Sequence, residues 1–287
     1  MSVAARLAGF ALVLLVAFGL GALAGGVIDP ARRTSDAPAA HAEAESHGAD
    51  VKHDEAAPAA VRGLAVADDG LRLDLRTPAI TPGSKPELRF RVLDARGTPV
   101  RAYDLEHERR MHVIVVRRDL RGFQHIHPRL AADGTWRAPL TIAEPGSYRV
   151  FADFSHTGTA RTLAADLRVP GSARLADLPA PTRSASAGGG LRAQLAAAPL
   201  RAGRETTLRF TLDRGGRPVA PQPYLGARGH LVALREGDLA FLHVHPVSDD
   251  AADFEATLPT PGRYRLFLQV RVDGAVRTAP FTVEVPR

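Results

Sequence analysis

Three stretches of this chain occur twice. Leu88-Arg89-Phe90 returns as Leu208-Arg209-Phe210, and Arg96-Gly97-Thr98-Pro99-Val100 as Gly215-Gly216-Arg217-Pro218-Val219. Pro145-Gly146-Ser147-Tyr148-Arg149 returns as Pro261-Gly262-Arg263-Tyr264-Arg265. The offset stays between 116 and 120 residues. A period that long is a whole domain and not a solenoid unit. Whatever this sequence folds into must therefore be built twice from about 100 residues.

Within each copy the hydrophobic period is two. Leu71-Arg72-Leu73-Asp74-Leu75 alternates, as does Leu88-Arg89-Phe90-Arg91-Val92. Tyr148 to Phe154 and Leu167 to Val169 are further strand segments. Between them lie the turn pairs Pro82-Gly83, Arg96-Gly97, Asp133-Gly134 and Pro145-Gly146, in a chain with 26 Gly and 22 Pro. About seven short strands with turns between them predict an all-β fold: two tandem immunoglobulin-like/cupredoxin-like β-sandwiches. The first is expected over 61–170 and the second over 191–287. Gly171 to Gly190, rich in Pro, Ser, Ala and Gly, predicts a flexible linker between two separately folded domains.

Residues 1–29 carry a different signal. From Leu7 to Ile28 run 22 residues without charge, after Arg6 and before Arg32 and Arg33. That length spans a bilayer as one N-terminal transmembrane helix. Ala22-Leu23-Ala24 also reads as a cleavage site, which would make the segment a signal and the protein secreted. Both readings place the body on the extracytoplasmic side. Residues 30–60, with Pro30, Pro38, Pro58 and many alanines and acids, predict a disordered tether. It holds His41, His47 and His53, which are expected to be solvated or at most loose metal captors.

The residues with chemistry are histidines. The first copy has His112-Val113-Ile114-Val115-Val116, a polar turn at Asp119 to Gly122, then Phe123-Gln124-His125-Ile126-His127-Pro128. The second has His230-Leu231-Val232-Ala233-Leu234, a turn at Glu236-Gly237-Asp238, then Phe241-Leu242-His243-Val244-His245-Pro246. Each is a hairpin, and in both the first histidine precedes the pair by 13 and 15 residues. Residues i and i+2 of a strand share a face, so each pair points one way. With a short even loop, the first histidine lies opposite or diagonal on that same face, within about 5–8 Å at Cβ. Two metal-ligand sets are therefore expected: His112, His125 and His127, and separately His230, His243 and His245. Three imidazoles with an open fourth position suit copper(II) or zinc. The same pattern is also compatible with hydrogen-bonded structural histidines. Met111 points to the opposite face from His112 and is expected to fill the core. His107-Glu108 stands upstream, and His156 falls in a strand-end turn.

Composition excludes other classes. Formal net charge is +6, but the arginines are scattered among acids and only Lys52 and Lys85 are lysine, so no nucleic-acid partner is expected. The absence of cysteine excludes disulfides, iron–sulfur clusters and thiolate-ligated copper. No nucleophile, carboxylate pair or cofactor loop suggests an enzyme.

His107-Glu108-Arg109-Arg110-Met111-His112-Val113-Ile114-Val115-Val116, followed by Asp119-Leu120 and Phe123-Gln124-His125-Ile126-His127-Pro128, resembles the YtkA-like family of bacterial secreted and membrane-anchored proteins. His230 through Pro246 keeps the later part of this pattern and lacks its His-Glu-x-x-Met opening. The resemblance covers the two sandwich units only. It implies an association with heavy-metal or copper handling. The expectation is thus a membrane-anchored extracytoplasmic protein that binds a metal ion, copper ahead of zinc, for buffering, delivery or resistance. The alternative is a sandwich module that presents its surface to an extracytoplasmic protein partner.

Overall fold

Val113 and Val115 of the first copy's histidine strand are buried, and so are the residues alternating with them, Ile114 and Val116. A strand apolar at every position needs cover on both faces, and the architecture supplies it. The computed structural model describes residues 61–84, 86–242 and 244–287, with the His245 side chain left aside. Among these residues there are nineteen strands in four antiparallel sheets and no helix.

In the first repeat, one sheet has the order β1 (Ala67–Asp68), β2 (Leu71–Leu75), β3 (Glu87–Leu93), β7 (Trp136–Pro139), β6 (Arg129–Leu130). The other has the order β5 (Gln124–Ile126), β4 (His112–Arg117), β8 (Gly146–His156), β9 (Thr159–Val169). Their inner faces share one core that includes Leu73, Phe90, Val113, Val115, Trp136 and Val150.

The second repeat follows the same plan. Its six-stranded sheet has the order β10 (Ser184–Gly188), β11 (Leu191–Ala196), β12 (Glu205–Arg214), β17 (Asp253–Thr257), β16 (His245–Pro246), with β13 (Arg217–Pro218) also on β12. Its four-stranded sheet has the order β15 (Phe241–Leu242), β14 (His230–Arg235), β18 (Gly262–Val272), β19 (Ala275–Val285). Leu195, Phe210, Phe254, Tyr264, Leu266 and Phe281 lie in its core. Each repeat is thus a β-sandwich, and the tandem arrangement is real.

A third core lies between the repeats. Ile114, Val116, Leu120, Phe151 and Ala164 of the first meet Val232, Leu234, Leu239, Phe241 and Phe267 of the second. The two four-stranded sheets therefore pack against each other through the faces turned away from their own sandwich cores. The contacts are reciprocal. Phe123 stacks on Phe267 with centroids 4.0 Å apart, and Phe241, the counterpart of Phe123, meets Phe151, the counterpart of Phe267, at 5.5 Å. Equivalent patches that touch each other's equivalents make an isologous interface with an approximate internal two-fold axis. Gly63 sits where both repeats crowd the backbone. A Cβ there would lie 2.7 Å from the Phe151 ring and 2.8 Å from Phe241 Cβ, at φ +70°.

The flexible-linker expectation for 171–190 needs correction. Ser184–Gly188 is strand β10, paired with β11, and Ala187 is buried in the second core. Alternating Ser and Ala are small enough to read as spacer while still supplying a strand's inward side chains. Upstream, Leu178 enters the inter-repeat core, and Asp119 Oδ2 accepts a hydrogen bond from Ala176 N–H. Arg263 Nη1 donates to the Leu178 carbonyl. The connector is docked along the seam. The proposed membrane segment and tether, residues 1–60, lie outside the described residues. Among those described, no helix is long and apolar enough to cross a membrane.

Candidate metal centre

His112 opens β4 and His125 lies in β5, with Ile114 opposite His125 and Val113 opposite Ile126. His112 therefore stands across from His127, one pair beyond the last ladder pair. Their rings lie 5.0 Å apart, with His112–His125 at 5.2 Å and His125–His127 at 4.7 Å between centroids. All three turn toward the second repeat. One nitrogen from each can be chosen so that all lie within 4.8 Å of one another.

The hydrogen bonds orient the rings. His112 Nδ1 and His125 Nε2 are 3.0 Å apart. The other nitrogen of each faces an oxygen: His112 Nε2 is 3.2 Å from the Glu106 carbonyl, and His125 Nδ1 is 2.5 Å from Gln269 Oε1. A neutral imidazole has one N–H. If both outer nitrogens donate to these oxygens, the inner nitrogens present two lone pairs to each other. That arrangement is repulsive unless a cation lies between them. His127 Nε2 is a third buried nitrogen with no protein hydrogen-bond partner. Metal-bound histidines commonly donate their remaining N–H to a carbonyl or carboxylate, which is the role open to Glu106 and Gln269 here.

Electrostatics keeps these rings neutral. Burial pushes the imidazole of His112, only 3% exposed, down to about 4. Burial, then the neighbouring His112 and His127, takes His125 to about 3. Burial and the Arg109 guanidinium take His127 to about 4. Neutral imidazole is the form that ligates.

His230 does not stand apart with a second set. It opens β14, and its ring lies 4.6 Å from His125 and 5.6 Å from His112, the latter nearly parallel at 7°. Burial and the surrounding histidines hold it well below the ordinary range. The backbone of His245 pairs with Glu255 in β16, on the other sheet of the second sandwich from His230. His243 lies outside the described residues. The expectation of separate sets is therefore revised for His230, because the docking of the repeats carries it into the first cluster.

Other histidines divide cleanly. His156 Nδ1 is 2.9 Å from the Ala102 carbonyl, away from the cluster at the end of β8. His41, His47 and His53 lie outside the described residues. Met111, 1% exposed, belongs to the first sandwich core, so the site offers nitrogen and no thioether. His107 is the unexpected neighbour, 6.1 Å from His112 and 6.0 Å from His230 between centroids. It occupies a two-residue turn closed by paired Glu106–Arg109 backbone hydrogen bonds of 2.8 Å. Both central residues have positive φ, His107 at 45° and Glu108 at 63°. Such a turn favours Asn-Gly, and the second repeat uses Leu225-Gly226 at the same place. Relief of the left-handed strain outweighs the added freedom of the unfolded chain, so Glu108→Gly is expected to stabilise the protein by about 0.5 kcal/mol. Urea melts at fixed pH check this, and a lower midpoint would contradict it.

Sequence reasoning missed Gln269 and Asp153. Each is a lone polar residue in an apolar strand, Leu266 to Val270 and Val150 to Phe154, and that was the available signal. Each is also the cross-strand partner of the first histidine of its repeat, His230 and His112 respectively. Gln269 is 5% exposed. Burial raises Asp153 to about 6, against a hydrogen bond from Thr162 Oγ1 at 2.7 Å.

A family model described as "Domain of unknown function (DUF8832)" matches residues 65–171 and again 185–287. The chain belongs to this family. The two DUF8832 matches fall on the two sandwiches, and the second begins at the start of β10. No curated protein matches the chain. Among solved structures, the Escherichia coli adhesin FdeC matches at 17% identity and TM-score 0.27, over 78% of this chain and 66% of that one. Yersinia pseudotuberculosis InvD matches at 14% and 0.26, over 75% and 57%. A two-domain fibronectin type-III segment of chicken tenascin matches at 9% and 0.23, over 75% and 97%. The chain thus spans less than two thirds of the two bacterial proteins.

Proposed function

We propose that this protein is a metal-binding protein of the cell envelope, taking copper(II) or zinc, for buffering, delivery or resistance. The observation that carries the reading is the facing pair of inner nitrogens, His112 Nδ1 and His125 Nε2, whose outer nitrogens both meet oxygen acceptors. Ligands about 2.0–2.1 Å from a tetrahedral zinc lie roughly 3.3 Å from one another. Small rotations of the three rings would reach that spacing. An all-nitrogen donor set suits zinc or copper(II) more than copper(I). The resemblance of His107–Val116 and Phe123–Pro128 to YtkA-like domains points the same way. The apolar run Leu7–Ile28 would tether the body to the membrane, outside the cytoplasm.

One observation favours a structural role instead. With the Gln269 amide turned over, a chain of N–H donors could run from Gln269 through His125 and His112 to the Glu106 carbonyl, satisfying every nitrogen in it. The sandwiches would then be an interaction module with a polar seam. Titration separates the two readings. Untagged wild type is expected to bind zinc or copper(II) with Kd near 1 μM or tighter. At 100 μM ion such a site adds about 2.7 kcal/mol of stability. His125→Ala is expected to abolish both the binding and the gain. If wild type binds neither ion more tightly than about 10 μM (about 6.8 kcal/mol), the histidines are architecture and the metal reading is wrong.

A further inference from the structure

Three imidazoles from one repeat leave a fourth position open, and a fourth imidazole, His230 of the other repeat, stacks on two of them. His112 and His230 are equivalent residues of the duplication, each opening an inner strand of its four-stranded sheet. Their stacked contact at 5.6 Å therefore lies on the approximate two-fold axis. Between ring centroids His230 lies 4.6 Å from His125, against 5.2 Å for His112, whose Nδ1 is 3.0 Å from His125 Nε2. The oxygen that orients His125 is on Gln269, again from the second repeat. Two of the groups around His125, Gln269 and His230, are thus present only when the two sandwiches are docked. His107, held over His112 and His230 by its strained turn, closes the same side.

We propose that a single ion is held jointly by both repeats, with His230 completing the coordination begun by His112, His125 and His127. Binding of the ion and docking of the sandwiches are then one coupled equilibrium. This rests on the metal reading above and goes further by naming the fourth ligand and its consequence. An ion that binds only the docked state stabilises docking by the same free energy that docking adds to its binding. The protein would take up its ion as a closed clamp and release it when the seam opens.

The test uses the full-length untagged chain with zinc(II) and, in parallel, copper(II). X-ray absorption on the zinc-loaded wild type should count four imidazoles, and His230→Gln should count three. The variant's zinc affinity should fall by more than about 100-fold, beyond the 10–100-fold typical of losing an outer hydrogen-bond partner. Hydrogen exchange at the seam, in β4 and β14, should slow on zinc addition in wild type and not in the variant. A wild-type count of three, with His230→Gln binding as tightly as wild type, overturns joint coordination and leaves the three-histidine site standing. If wild type binds neither ion, both readings fall together. If His230→Gln does not fold, the wild-type count alone decides, three against the proposal and four for it.

Discussion

Between pH 7 and pH 4 the metal-free protein is expected to lose stability steeply. In the unfolded chain the histidines take up protons near 6.5. In the folded chain burial holds His112 and His127 neutral down to about 4 and His125 to about 3. Through that window the unfolded state binds more protons, so acid favours unfolding. Stability is complete above about 6.5 and is lost progressively as pH falls toward the folded values. For His112 alone the loss is about 2 kcal/mol at pH 5. Asp153 acts in the opposite sense. Burial raises it to about 6, so protonation below that value favours the folded state and offsets roughly one imidazole. His125, His127 and His230 remain uncompensated. Denaturant midpoints at pH 7, 6 and 5 in the presence of a chelator measure the slope. A midpoint that stays level from pH 7 to 5 would mean the rings are hydrated and open, contrary to the geometry.

Phe267→Ala is expected to cost about 3–5 kcal/mol, the range for truncating a buried aromatic. It should also uncouple the repeats. Phe267 is 3% exposed, lies face to face with Phe123, and contributes nothing to its own sandwich core. The loss therefore falls on the seam. Wild type should melt in one transition and resist proteolysis over 171–183, because the connector is docked by Leu178 and Ala176. The variant should melt in two steps and be cut in that connector. Wild type yielding two stable halves at the first touch of protease would show the sandwiches to be independent.

Much of this protein is legible in its sequence for a definite physical reason. Strands write their faces as a period of two, so Leu71 to Leu75 and Leu88 to Val92 announce half-buried strands. The hairpin from His112 to His127 fixes which side chains share a face, because register follows from loop length. What the duplication means is harder to read. His112 to Val116 and His230 to Leu234 are apolar throughout, the mark of strands covered on both sides, but the pattern does not say by what. Leu120 and Leu239 illustrate the difficulty. They sit in polar turns with φ of 61° and 62°, and both are buried in the seam. Ser184 to Gly188 read as spacer for a related reason: small side chains carry little hydrophobic signal, although β10 needs only small residues on its inner face.

The sequence by itself determined the two sandwiches, their hairpins and the convergence of His112, His125 and His127, because these depend on local periodicity and spacing. Only the tertiary structure decided that His230 and Gln269 belong to the same cluster, since sequence period carries no information about which outer face docks on which. It also decided the charge state of the rings. An imidazole's protonation depends on what surrounds it in space, and the atoms that desolvate these histidines come from both copies of the repeat.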